Sequence, residues 1–115
     1  MLRKTRPISW VKAADKAFRK FPREVQERGL RALNLAAEGQ KADIAEPMKG
    51  MGSGVFEIAF SYRSDAYRTI YAVQIANEIW VIHAFQKKSK TGIKTPKPEV
   101  DVIRERLRQL KEMLR

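Results

Sequence analysis

The 115-residue sequence contains no cysteine and only one histidine, His83. The first absence excludes disulfides, thiolate metal sites and a cysteine nucleophile, and it suits a reducing cytoplasm. The second excludes an acid–base pair built from two histidines. A lone histidine with neither cysteine nor a nearby acid cluster is not a metal site either, so no metal and no other cofactor is expected. Long apolar runs are missing as well. The longest, near Ile79 to Phe85, is strand-sized, against the roughly 20 residues a bilayer span requires. Met1 to Arg6 is basic like the start of a signal peptide, but Lys12, Asp15 and Lys16 interrupt the apolar stretch that should follow. A soluble, cytoplasmic, single-domain protein spanning 1–115 is therefore expected, and that length buries a core without staples.

Acids are also scarce: 13 Asp and Glu stand against 24 Lys and Arg, a formal net charge of +11. An excess of this size points to a polyanionic partner, because Lys and Arg displace the counterions condensed on nucleic acid and steer the encounter. A solubilising surface is the plainer alternative. An anionic membrane fits less well, since the basic stretches lack the interleaved Trp, Phe and Leu of an interfacial helix.

The apolar residues that remain are ordered by period. Pro7 to Trp10 reads as a short strand. Trp10, Ala13, Ala14, Ala17, Phe18 and Phe21 then recur at helical spacing. Pro22 suits the first position of a second helix, whose buried face is Val25, Gly29, Ala32, Leu33 and Ala36 and which Gly39 stops. Gln40 to Gly54, with Pro47 and three glycines, reads as a connecting loop, with Met48 and Met51 as loop packing. Beyond it the period becomes two: Val55 to Phe60, Tyr67 to Ile75 and, after a turn at Asn77, Ile79 to Phe85 predict three strands in an antiparallel meander. Gln86 to Pro98 is basic without one acid. A final helix follows, with Val100, Ile103, Leu107, Leu110 and Leu114 on one face and Arg and Lys opposite. The expected fold class is α+β: an N-terminal helical hairpin packed on a small antiparallel sheet, with a C-terminal helix.

Particular strings carry more than the order of elements. Lys49-Gly50, Val55-Phe56-Glu57-Ile58, Tyr67-Arg68-Thr69-Ile70-Tyr71 and His83-Ala84-Phe85-Gln86-Lys87-Lys88 followed by Lys94-Thr95-Pro96 together resemble the RelE/ParE superfamily, especially its HigB-like, phage-derived branch. The resemblance runs from about Ile8 to the last helix. It implies a RelE-like fold and the toxin of a type II toxin–antitoxin system: a ribosome-dependent mRNA endoribonuclease held inactive by a cognate helix-turn-helix-type antitoxin. ParE-like members instead poison gyrase, so the family leaves the target open. A non-catalytic, basic nucleic-acid-binding module is the third reading.

RNA is cut without a metal when its own 2′-hydroxyl attacks the neighbouring phosphate. The enzyme must position the backbone, neutralise charge on the phosphoryl oxygens and move two protons. Arg68 offers a planar donor fork for phosphate, and Lys87, Lys88, Lys90 and Lys94 add mobile point charges. His83 shares a strand face with Ile79, Val81, Phe85 and Lys87 by simple alternation. It is either a proton shuttle or a hydrogen-bonded strand histidine that shapes the site. Glu57 is either a base or the ion-pair partner of Arg68 on the neighbouring strand. Arg68, His83, Lys87 and Glu57 are thus the catalytic candidates. The RNA-binding candidates add Lys49, Tyr62, Arg63 and Phe85. Lys49 either stands where RelE-like toxins place basic residues against RNA or is an ordinary solvated lysine. Tyr62 and Arg63 either contact a base or are exposed hairpin-tip residues, and Phe85 is able to stack on a base, although core packing is its better reading. Many relatives carry arginine where this sequence has Ala59, which removes part of the phosphate cluster that the resemblance implies. The last helix, with Arg104, Arg108, Lys111 and Arg115, is either an antitoxin surface or a solvated face.

Overall fold

The structure, a computed structural model, describes residues 5–87 and 94–114. The elements run β1 (Ile8–Trp10), α1 (Lys12–Phe18), α2 (Arg23–Ala37), β2 (Ala45–Pro47), β3 (Val55–Tyr62), β4 (Asp65–Ile75), β5 (Glu78–Lys87) and α3 (Lys97–Met113). The five strands form one sheet in the order β1-β5-β4-β3-β2. The expected meander is its centre, β3 to β5. Two short strands extend it beyond the expectation. β1 lies parallel to β5, with Ile8 opposite Ile79 and Trp10 opposite Val81, so the sheet is mixed rather than wholly antiparallel. β2 forms inside the predicted loop and pairs antiparallel with β3, its Pro47 standing at the sheet's outer edge, where a missing N–H costs least.

The turns explain how the chain reaches this arrangement. α2 ends in a Schellman motif: Gly39 at φ +83° donates to the Ala36 carbonyl and Gln40 to that of Leu35. Pro22 sits one position earlier than expected, as the residue capping α2. The β3–β4 and β4–β5 hairpins each turn on two left-handed residues, Arg63-Ser64 (φ 52° and 74°) and Ala76-Asn77 (φ 53° and 56°). That is the backbone sign of the tight turns whose twist matches the strands they join.

Both faces of the sheet are covered. On one, α1 and α2 pack Ala14, Leu33 and Ala36 onto Ile58, Tyr71, Ile79 and Val81. On the other, α3 packs Ile103, Leu107 and Leu110 onto Ile70, Ala72 and Ile82. Central β4 is accordingly buried without a break from Tyr67 to Ala72, as a strand with no solvent face must be. Each fully buried Ile or Leu in these layers contributes on the order of 1.5–3 kcal/mol.

The sheet departs from simple alternation at one point. Tyr71 pairs with Val81 and Ile70 with His83, leaving Ile82 as the extra residue of a β-bulge. Ile79 and Val81 therefore face the helical hairpin, whereas Ile82 packs under α3 and His83 stands opposite Ile70 on that same side. The expectation that His83 shares a face with Ile79 and Val81 fails for this reason; its neighbours on the α3 face are Phe85 and Lys87.

The two N-terminal helices touch where α2 lacks a side chain. A Cβ added to Gly29 would lie 2.8 Å from the ring of Phe18, itself wedged against Trp10 and Phe21. In Gly29→Ala, overpacking at a cost of roughly 1–3 kcal/mol opposes a helix-propensity gain of about 1 kcal/mol. Urea unfolding should therefore find the variant less stable than the parent; a more stable variant would contradict this packing.

Candidate active site

Register brings the catalytic candidates onto the α3 face of the sheet. Ala59 lies opposite Arg68, which lies opposite Phe85 on the other side. Glu57, Ile70 and His83 form the next row, and Lys87 pairs with Ala66 near the strand end. Arg68 Nη1 and Glu57 Oε2 approach to 3.1 Å, with 9% of the arginine side chain and 18% of the glutamate exposed. The cross-strand ion pair anticipated for these residues is present, on a diagonal rather than directly opposite. Thr95, two residues before α3, donates its hydroxyl to the same Glu57 oxygen. One carboxylate thus ties two strands to the entry of the last helix. Breaking such a buried pair from one side costs about 3–5 kcal/mol, because it strands the other charge.

His83 is held from α3. Arg106 Nη1 lies 3.0 Å from both the Ile82 carbonyl and His83 Nδ1, while His83 Nε2 lies 2.6 Å from Glu99 Oε1. Because a guanidinium only donates, Nδ1 accepts, and the ring proton sits on Nε2 facing the carboxylate. The imidazole is therefore neutral. Burial, with Arg106 adding to it, pulls the histidine below its ordinary value, against the opposing effect of the hydrogen bond it donates to Glu99. Phe85 closes one ring face, its centroid 5.3 Å away. With both nitrogens engaged, His83 fastens α3 to the sheet.

The remaining sequence candidates scatter. Lys87, half-buried at the end of β5, donates to the Lys94 carbonyl at 2.9 Å. Lys88 and Lys90 lie outside the described residues. Lys49 is exposed beside Gly50, whose carbonyl faces Arg104 of α3 at 3.4 Å. The companion Met51 is buried under α3, as its loop-packing role requires. Tyr62 packs with Phe60 on the helical-hairpin face, opposite the cluster, and carries Arg63 over its ring at 5.3 Å. Phe85 is buried against His83 rather than open to a base on that side.

Three groups in the cluster are not among the site candidates drawn from the sequence: Thr95, which appears there only within the Lys94-Thr95-Pro96 string, Glu99 and Arg106. A signal for two of them exists. Positions 99, 103, 106 and 110 follow one helical seam, so Glu99 and Arg106 are charges written into the stripe that Ile103 and Leu110 bury.

The sequence profile of the family described as phage derived protein Gp49-like (DUF891) matches residues 16–108. The chain belongs to this family. Gp49-like proteins are RelE/HigB-like toxins. The chain is also similar to a chain of the toxin–antitoxin complex RelBE2 from Mycobacterium tuberculosis. The two are 14% identical, the similarity covers 74% of this chain and 94% of that one, and the TM-score is 0.47. No curated protein matches it. Among the described residues, no helix is long and apolar enough to cross a membrane.

The depressed His83 has a consequence for stability. The unfolded chain takes up a proton near pH 6.5, whereas the folded chain resists it to lower pH. The unfolded state thus binds more protons in that window, and stability should fall as pH drops from about 7.5 through 6.5 towards the folded value. Because this is the chain's one histidine, His83→Gln, which still accepts from Arg106 and donates to Glu99, should flatten that part of the profile. An unchanged slope in denaturant titrations across pH would refute the buried neutral ring.

Proposed function

We propose that this Gp49-like toxin cleaves messenger RNA on the ribosome, with the RNA 2′-hydroxyl as nucleophile and no metal required, and that a cognate helix-turn-helix-type antitoxin holds it inactive. The observation that carries this reading is the cluster on the α3 face. Glu57 pairs with Arg68, the neutral His83 ring bridges Glu99 and Arg106, and the Lys87 ammonium stands on the same face, donating to the Lys94 carbonyl.

In this reading Lys87 meets the scissile phosphate and neutralises the charge that builds as the 2′-hydroxyl gives its proton to water and bonds to phosphorus, while the P–O5′ bond breaks and the departing 5′-oxygen takes a proton from water. Arg68, largely covered, adds its field from beneath. Glu57 orients Arg68, and His83 positions Lys87 by fixing β5 against α3. The other basic candidates, Lys49, Lys88, Lys90, Lys94 and Arg63, guide the backbone.

A specific feature favours the non-catalytic reading: both nitrogens of the only histidine are occupied and the arginine fork is paired. Induced expression separates the readings. A toxin arrests growth, is rescued by its antitoxin and leaves new transcript 5′ ends; a topoisomerase poison gives DNA-damage signalling with transcripts intact. Lys87→Ala should slow cleavage about a hundredfold, the equivalent of roughly 3 kcal/mol, while leaving unfolding unchanged. Intact growth and transcripts in the parent would refute the function. Undiminished cleavage by Lys87→Ala would refute the site.

A further inference from the structure

A groove lies off the cluster, on the other side of Phe85. It is an open cleft of about 480 Å³ between α1 and the end of β5, with Ala17, Phe21 and Phe85 as its apolar floor, Lys16 and Lys20 on its rim and Gln86 on its wall. Neither charge nor size is neutral about the occupant. Both lysines are exposed, and the nearest acid in the chain, Asp15, is engaged by Arg19 at 2.9 Å. Asp65, across the sheet, accepts from the Gln86 amide nitrogen at 2.7 Å, which turns the amide and leaves its oxygen as an acceptor. The volume lies within the range of roughly 300–1,000 Å³ typical of small-ligand sites.

Aromatic carbon below, an amide at the edge and two ammonium groups at the rim are the three things a nucleotide within a single strand presents partners for. Its base has a face that stacks, an edge that hydrogen-bonds and flanking phosphates. Phe85 also stacks on His83 at 5.3 Å, so one ring is shared by the groove and the cluster on the α3 face. We propose that this groove is a second RNA contact, in which one unpaired base packs over Ala17 and the exposed edges of Phe21 and Phe85, each 8% accessible, while Lys16 and Lys20 hold its neighbouring phosphates, anchoring the strand next to the cleavage site. The inference rests on the RNA-cleaving reading and extends it to a part of the surface where no sequence candidate except Phe85 lies.

The test uses the full chain and a single-stranded oligoribonucleotide, 2′-O-methylated so that it binds without being cut, with 4-thiouridine for photocrosslinking. In Lys16→Ala/Lys20→Ala the slope of log affinity against log salt should shrink by about 1.4, or 0.7 per lost phosphate contact. In the unchanged protein the crosslink should map to peptides holding Phe21 or Phe85. Equal affinity and slope in parent and variant, with crosslinks elsewhere, would overturn the groove and leave RNA cleavage standing. A parent that binds no RNA while still failing to cleave on ribosomes would overturn both. A variant that keeps its RNA affinity but loses antitoxin rescue would assign the groove to an acidic protein segment and overturn the proposal.

Discussion

One extra residue in β5 sets the chemistry of this molecule. With regular pairing, the alternation begun at Ile79 and Val81 would carry His83 and Phe85 to the side of the helical hairpin. The bulge at Ile82 resets it, so the strand buries Ile79 and Val81 under one layer of helices and then presents His83, Phe85 and Lys87 on the face that already holds Glu57 and Arg68. A bulge costs one unpaired position and gains a re-aimed side chain. Here the position is occupied by Ile82, fully buried under α3, so hydrophobic contact offsets the disruption.

The charges that follow from this placement are almost all compensated. Arg68 is balanced by Glu57, Arg106 and Glu99 hold the two nitrogens of His83 between them, and Thr95 adds a hydroxyl to the Glu57 carboxylate, so the last helix is fastened to the sheet by polar contacts and by Ile103, Leu107 and Leu110. Buried pairs of this kind supply little net stability but penalise any arrangement that separates them. They specify where α3 sits. A net charge of +11 is of the kind that steers a polyanion to a protein surface.

Much of this was legible from the residues. Gly39 at the end of α2, the turn at Asn77, the apolar faces of the helices and the Glu57–Arg68 pair follow from local rules that depend on a few neighbouring positions. What escaped reading depends on pairing between distant segments. The strand Ala45–Pro47 has too few residues to show a period, and it forms because β3 offers an edge. The bulge carries no composition mark, since Ile82 is as apolar as its neighbours; only the competing demands of two helical layers reveal it. Glu99 and Arg106 look like ordinary surface charges until the helix is rotated onto the sheet and both point at one imidazole.

The central claim is that this cluster serves RNA cleavage by the RNA's own 2′-hydroxyl, and the chemistry of the cut ends tests it most directly. Attack by that hydroxyl leaves a 2′,3′-cyclic phosphate on one fragment and a 5′-hydroxyl on the other. Transcripts cleaved on ribosomes by the purified protein should therefore be labelled at their new 5′ ends by a kinase without prior phosphatase treatment. New ends that carry a 5′-phosphate, with a free 3′-hydroxyl on the upstream fragment, would show that water or another nucleophile made the cut and would contradict the account.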